Sequence, residues 1–175
     1  MSPYRVEKLK ISEIKEKVKE FAKEHEIILG EWVDIICVLD KSEINYVVVT
    51  AEEMGSDSVF GKYVPEEKTI YILQETYDNA RDGDGPSRMT IAHEIGHYVL
   101  HKNGVVLENS TGWVKITENS EWQAKVFGGE LLAPSEKLEN MTDEEISAKY
   151  GISTLAAKIQ KNRCEKRIIE MGGKK

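Results

Sequence analysis

The chain has 175 residues, of which 24 are Lys or Arg and 31 are Asp or Glu, so its formal net charge is −7. This length suits one domain with at most a small appendage, and 40% hydrophobic with 31% charged residues excludes an intrinsically disordered chain. The acidic balance disfavours general binding to phosphate backbones, and no segment approaches the roughly 18 apolar residues of a membrane span or the apolar core of a signal peptide. Since its two cysteines match no metal-ligand spacing, we expect a reduced, cytoplasmic protein.

The first half of the chain predicts one amphipathic helix followed by a small sheet. Ser12 is a plausible N-cap for a helix that ends near His25. Its apolar face consists of Ile14, Val18, Phe21 and Ala22. Four runs rich in β-branched and aromatic residues follow, at 32–39, 44–50, 59–64 and 69–74. Because short polar turns separate these runs, they predict an antiparallel sheet of three or four strands.

The next predicted element is an exposed loop over residues 78–87, where Asp, Asn, Gly and Pro accumulate. Ser87 is then the expected N-cap of a helix that ends near His101, with Gly104 as a left-handed stop. A short extended stretch is expected at 113–117.

A third helix is predicted to begin at Ser120, where Gln123 three positions on completes a capping-box pattern. It runs to Pro134, which cannot continue it. We therefore expect one core domain over residues 1–134 and a small C-terminal helical module over residues 135–175.

The middle helix contains His93-Glu94-Ile95-Gly96-His97, which has the HExxH pattern. Residues four apart share a helical face, so both imidazoles can reach one Zn²⁺ at about 2.0–2.1 Å. Glu94 can then act as the general base towards a water molecule at the metal. The pattern arises by chance in a chain of this composition with a frequency on the order of 1%. The alternative is that both histidines are ordinary, partly buried core residues.

A catalytic zinc ion needs a third protein ligand. His101 lies eight residues beyond His93, about 12 Å along a straight helix, so we expect it to be a supporting or structural residue. Glu121 is the favoured third ligand because it lies in the first turn of the next helix, where the helix dipole stabilises a carboxylate. Small residues follow Glu121 and permit close packing against the motif helix. The other candidates are Glu108, Glu118 and Glu130.

Two segments resemble the ImmA/IrrE family of metallopeptidases. Residues 90–101 are similar to the family motif TLAHELGHxLLH, and residues 121–134 are similar to its motif ExxANxFAAxLLMP. The resemblance implies that His93, His97 and Glu121 bind zinc and that Glu94 is the catalytic glutamate. The chain departs from the family pattern at Lys125, Gly128, Gly129 and Ala133. None of these departures removes a metal ligand.

The resemblance implies an α+β fold with a zincin-like core, in which we expect the small antiparallel sheet to pack on helices. It also implies a zinc-dependent endopeptidase whose substrate is a helix-turn-helix repressor of a mobile element or a stress regulon. Tyr98 and His101 are candidates for stabilising the oxyanion, and an edge strand of the sheet is a candidate for holding an extended substrate.

The C-terminal region predicts a helix-turn-helix-like pair, with helices at 143–150 and 154–169 around a turn at Gly151. The second helix is basic, at Lys158, Lys161, Arg163, Lys166 and Arg167. Because the chain is acidic overall, we favour a packing module over a DNA-recognition helix. Two rival functions therefore stay open: a regulatory protein that binds its partner on a zincin scaffold without cutting it, and a DNA-binding regulator.

Overall fold

The computed structural model describes residues 5–56, 58–102 and 116–172, and the side chains of all of these except residues 116 and 165–172. Within these ranges, no helix combines the length and apolar character needed to cross a membrane. The described ranges leave out Gly104, Glu108 and residues 113–115. The end of the predicted extended stretch at 113–117 belongs to the 3₁₀ helix Ile116–Glu118. The helices are α1 Ile11–Glu24, α2 Ile35–Lys41, α3 Ala51–Met54, α4 Gln74–Arg81, α5 Gly85–His101, α6 Ser120–Leu132, α7 Asp143–Tyr150 and α8 Thr154–Gly172. The strands are β1 Asn45–Val49, β2 Gly61–Val64 and β3 Thr69–Leu73.

The sheet is mixed, so the prediction of an antiparallel sheet is wrong, although the α+β class is correct. Its strand order is β1–β3–β2, with β1 parallel and β2 antiparallel to β3. The turn at 65–68 joins β2 directly to β3 and makes that pair a hairpin. By contrast, α3 and β2 lie between β1 and β3 in the chain, and this long connection permits parallel pairing.

Most of the first predicted strand, at 32–39, is instead part of the helix α2, which begins at Ile35. Its N-cap is Asp34, whose side chain accepts hydrogen bonds from the backbone N–H groups of Ile36 and Cys37. Ile35, Val38 and Leu39 are buried, which is the three- and four-residue spacing of a helical face. The β-branched residues here fill the core from a helix, because the cap and tertiary burial outweigh their preference for strands.

The predicted loop at 78–87 is also largely helical. Helix α4 continues to Arg81 and α5 begins at Gly85, so residues 82–84 alone connect them. Asp84, and not Ser87, caps α5: its side chain accepts a hydrogen bond from the backbone N–H of Ser87 at 2.9 Å. Pro86 lies in the first turn of α5, where a missing N–H costs nothing. The polar residues that predicted a loop are thus partly a helix cap.

The N-caps of two other helices differ from the prediction. Helix α6 begins at Ser120 as expected, but Asn119 is its cap and accepts a hydrogen bond from the backbone N–H of Trp122 at 3.0 Å. Gln123 is fully buried and takes no part in capping. Ser12 is likewise inside α1, which starts at Ile11.

Helices α5 and α6 pack against each other at very short range in the centre of the core. A Cβ atom on Gly96 of α5 would lie 2.9 Å from the carbonyl oxygen of Ala124 in α6. A Cβ atom on Gly128 of α6 would lie 3.0 Å from the backbone of Ala92 in α5. The two glycines therefore permit a backbone-to-backbone approach that larger residues would prevent.

We expect Gly96→Ala to lower the free energy of unfolding by about 1–3 kcal/mol, since the added methyl group would force the α5 and α6 backbones apart. This loss would exceed the gain in helix propensity of about 1 kcal/mol. Urea unfolding followed by circular dichroism measures the change. Lys125→Ala, at an exposed position of α6, is the control and should change stability by no more than about 0.5 kcal/mol. A Gly96→Ala protein as stable as the wild type would contradict this account of the helix contact.

The C-terminal helix pair is joined to α5 through Arg88, whose guanidinium group is almost completely buried. Arg88 donates hydrogen bonds to the carbonyl oxygens of Val33 at 2.9 Å, Tyr150 at 3.2 Å and Gly151 at 2.9 Å. Gly151 ends α7 in the left-handed conformation, with φ of 59°. These bonds connect the turn between α7 and α8 to the core. The division of the chain at residue 134 and the helix-turn-helix interpretation stay predictions.

The basic residues of α8 do not all face solvent. Lys158 is exposed, whereas Lys161 lies 3.7 Å from Asp143 of α7. Arg163 donates a hydrogen bond to the side chain of Gln160. Burial lowers the pKa of the Arg163 guanidinium group, and the negative charge of Glu130 opposes this shift. Lys166 and Arg167 lie beyond the described side chains. Among the described positions, the charge available to a DNA backbone is therefore smaller than the sequence suggests.

Candidate metal centre

Helix α5 carries His93, His97 and His101 on one face, because they follow each other at intervals of four residues. The Nε2 atoms of His93 and His97 lie 3.1 Å apart. His97 is nearly inaccessible, with 2% of its surface exposed, whereas His93 is partly exposed. The two predicted histidine ligands thus present their Nε2 atoms to one shared point at the edge of the core.

Glu121 reaches the same point from the first turn of α6. Its Oε2 lies 3.1 Å from Nε2 of His93, and its Oε1 lies 3.3 Å from Nε2 of His97. One ligand atom from each of the three residues lies within 4.8 Å of the others. Glu121 comes close to both histidines because the glycines at the contact between α5 and α6 bring the two helices together.

The donor set fits a zinc ion. Four ligands at about 2.0–2.1 Å in tetrahedral geometry lie about 3.3 Å from each other, which matches the separations among the three side chains. Within the described part of the chain, Oε1 of Glu121 and Nδ1 of His93 are buried without a hydrogen-bond partner. A cation between the three side chains would give that carboxylate oxygen a partner. Two imidazoles and one carboxylate are also ligands that zinc accepts.

The protonation of Glu121 suits metal binding. Burial raises the pKa of this carboxyl group, but the neighbouring imidazole groups of His93 and His97 lower it by more. The net result is a pKa well below the ordinary value for glutamate. Glu121 is therefore anionic at neutral pH, which is the form that coordinates a cation.

The other carboxylates considered as ligands are engaged elsewhere or lie outside the described residues. Glu118, in the 3₁₀ helix before α6, accepts a hydrogen bond from Nε of Arg5 at 2.8 Å. Glu130 is buried at the far end of α6 and accepts a hydrogen bond from the backbone N–H of Ser135 at 3.0 Å. Glu108 falls in the part of the chain that is not described. Of the described candidates, Glu121 alone lies beside the two histidines.

Glu94 belongs to α5, and its side chain contacts the edge strand β2. Its Oε2 accepts a hydrogen bond from the backbone N–H of Tyr63 at 2.8 Å, and only 6% of its surface is exposed. A Cβ atom on Gly61 would lie 3.1 Å from Cγ of Glu94, so the strand approaches the carboxylate closely because this position is glycine. The contact between strand and glutamate fixes one carboxylate oxygen of Glu94.

His101, which the sequence predicts to be a supporting or structural residue, contacts His97, but its other partner Gln123 is not predicted from the sequence. Nδ1 of His97 lies 3.1 Å from Nδ1 of His101, and Nε2 of His101 lies 3.0 Å from Oε1 of Gln123. The four-residue spacing of His97 and His101 was the available signal, whereas Gln123 was assigned to a capping box. Burial lowers the pKa of His101 to about 4, against the opposing hydrogen bond with Gln123, so this ring is neutral at neutral pH. The ring of Tyr98 packs edge-on against Tyr63, and its predicted role at the oxyanion stays a prediction.

A comparison with protein families identifies a matching domain. The Peptidase M78 model, described as an IrrE N-terminal-like domain, matches residues 47–160. This range covers well over half of the chain and includes most of β1, all of β2 and β3, and the helices α5 and α6. A comparison with curated proteins finds no match. Because the family model extends over most of the chain, the chain belongs to the ImmA/IrrE family of metallopeptidases.

Proposed function

We propose that the protein is a zinc-dependent endopeptidase with His93, His97 and Glu121 as the metal ligands and Glu94 as the general base. The observation that supports this most strongly is the convergence of two Nε2 atoms and one carboxylate within 4.8 Å. Membership of a metallopeptidase family supports the same class of activity.

The proposed chemistry divides between the metal and the chain. When bound, zinc acts as a Lewis acid that lowers the pKa of water towards about 7 and polarises the scissile carbonyl. Glu94 would accept a proton from the attacking water at a carboxylate oxygen and pass it to the nitrogen of the leaving amine. Its hydrogen bond from Tyr63 holds Oε2 in place during both transfers.

Among the strands that the structure describes, β2 is paired on one side only, and this supports an extended polypeptide as the substrate. Strand β2 pairs with β3 on one side, and the N–H of Tyr63 points away from β3, towards Glu94. An extended substrate could add to this edge as a further antiparallel strand, with its backbone passing beside the general base.

We further propose that the natural substrate is a helix-turn-helix repressor and that the reaction takes place in the cytoplasm. The support for the repressor is the resemblance of residues 90–101 and 121–134 to the motifs of the ImmA/IrrE family. Incubation of the purified protein with a repressor encoded beside its gene tests this proposal. A single new cleavage site, abolished by a zinc chelator, is the expected result, and an intact repressor held in a stable complex would favour the non-cleaving alternative.

Metal analysis tests the ligand set directly. We expect about one zinc ion per chain in the wild type and loss of zinc in Glu121→Ala, because two histidines alone form an incomplete site. Glu118→Ala is the matched control and should keep its zinc, since Glu118 pairs with Arg5. Atomic emission spectroscopy after dialysis gives the zinc content of each variant. Loss of zinc in the Glu118 variant but not in the Glu121 variant would refute the proposed ligand set.

A further inference from the structure

A continuous chain of hydrogen bonds leads from the proposed ligand His97 to the backbone of the core. It passes from Nδ1 of His97 to Nδ1 of His101 at 3.1 Å, then from Nε2 of His101 to Oε1 of Gln123 at 3.0 Å. Gln123 in turn donates from Nε2 to the carbonyl oxygens of Glu7 and Thr117, each at 2.8 Å. All three linking side chains are buried.

The backbone carbonyls at one end of this series of hydrogen bonds determine which atom donates in each bond. The carbonyls of Glu7 and Thr117 can only accept, so Nε2 of Gln123 donates and its Oε1 faces His101 as an acceptor. Nε2 of His101 must therefore carry a proton and donate it to Gln123. When the ring carries this one proton, its Nδ1 is the acceptor towards His97. Nδ1 of His97 must then carry a proton, and its Nε2 presents a lone pair.

Gln123, at the far end of this hydrogen-bond chain, is held by two segments of the backbone. The segment before α1 is held against the lead-in to α6 by backbone hydrogen bonds from Val6 to Glu118 at 2.9 Å and from Leu9 to Thr117 at 3.0 Å. Gln123 bridges these two segments, since it donates to a carbonyl in each. The orientation of its amide group is thus fixed by the backbone of two separate parts of the chain.

We propose that His101 is a positioning residue that, together with Gln123, fixes the Nε2 lone pair of His97 for metal binding. This inference rests on the proposed zinc site and adds to it a partner for one ligand. Outer hydrogen-bond partners of metal-bound histidines set the tautomer and orientation of the ring, and their removal commonly weakens metal affinity by about 10–100-fold.

The test compares three histidine variants by their zinc dissociation constants, measured by competition with a chromophoric chelator. We expect His101→Leu to bind zinc about 10–100-fold more weakly than the wild type. His101→Asn should recover most of this loss, because its side-chain oxygen takes nearly the position of Nδ1 and can accept from His97. His25→Leu is the matched control and should leave the affinity unchanged, since His25 packs on Phe21 in α1. Nitrogen-15 NMR of the metal-free wild type should show the proton of His97 on Nδ1, and the His101→Leu protein should lose this preference.

The possible failures are distinguishable. Thermal unfolding of each metal-free variant separates a loss of stability from a loss of affinity in the folded protein. If the wild type binds zinc and His101→Leu binds it equally well, the positioning role is refuted while the proposed function stands. Equal weakening in His101→Leu and His101→Asn would also refute it, because the acceptor atom would then make no difference. If the wild type does not bind zinc at all, both proposals fail.

Discussion

Glu94→Gln is expected to reduce the rate of peptide-bond hydrolysis by about 10²–10⁴-fold, which is the usual contribution of a general base. The amide has nearly the shape of the carboxylate and can still accept the hydrogen bond from Tyr63. It cannot accept and return a proton at neutral pH. The fold and the zinc content should therefore be unchanged, and the loss should lie in the chemical step. Single-turnover cleavage of the repressor, with zinc content measured on the same sample, gives both quantities.

Glu118→Gln provides the control for this experiment. It makes the same chemical change at a carboxylate that contacts Arg5, and it should cleave at the wild-type rate. A Glu94→Gln protein that cleaved its repressor as fast as the wild type would refute the proposed mechanism. If the wild type instead bound the repressor without cutting it, the effect of Glu94→Gln could not be seen and the non-cleaving alternative would be favoured.

Arg88→Met is expected to lower the free energy of unfolding by about 3–5 kcal/mol. The substitution removes the donor to three carbonyl oxygens, and each buried acceptor left without a partner costs about 1–3 kcal/mol. It also removes the guanidinium group from the face of Trp32, whose ring centre lies 3.9 Å away. Because methionine keeps the aliphatic part of the side chain, the loss of stability comes mainly from the guanidinium group and its contacts. Urea unfolding followed by tryptophan fluorescence and circular dichroism measures the loss.

Arg81→Met is the control for Arg88→Met. Arg81 is exposed at the end of α4 and lies 3.1 Å from Asp78, a surface ion pair of the kind that contributes at most about 1 kcal/mol. A change of less than about 1 kcal/mol in Arg88→Met would show that the contacts of Arg88 contribute little. It would also mean that other contacts hold the C-terminal helix pair against α5.

The parts of the site that could be predicted from the sequence depend on spacing within one helix. His93 and His97 share a face because of helical geometry, and Glu94 follows the first histidine in the chain. The start of α6 at Ser120 was likewise predicted from local residues, and it puts Glu121 in a first turn. Such features are readable from the sequence because residues up to four apart determine them.

Some errors are local, since Asp84 and Asn119 cap α5 and α6 in place of Ser87 and Ser120. The larger errors concern choices in which distant residues take part. The residues of α2 have strand-like composition, yet Asp34 caps them and the core buries one helical face. The parallel pairing of β1 with β3 depends on how α3 and β2 are accommodated between them. Gln123 follows Ser120 at the spacing of a capping box, but the carbonyl of Glu7, 116 positions away, takes its amide.

The sequence by itself determined the kinds of donor atoms, their spacing on one helix, and the family. Only the tertiary structure decided which carboxylate lies beside the two histidines, because Gly96 and Gly128 let α5 and α6 approach closely enough for Glu121 to reach them. The tertiary structure also decided that β2 contacts Glu94. It likewise decided that His101 lies between His97 and Gln123 and contacts both. These contacts join segments far apart in the chain, and packing of the whole core brings such segments together.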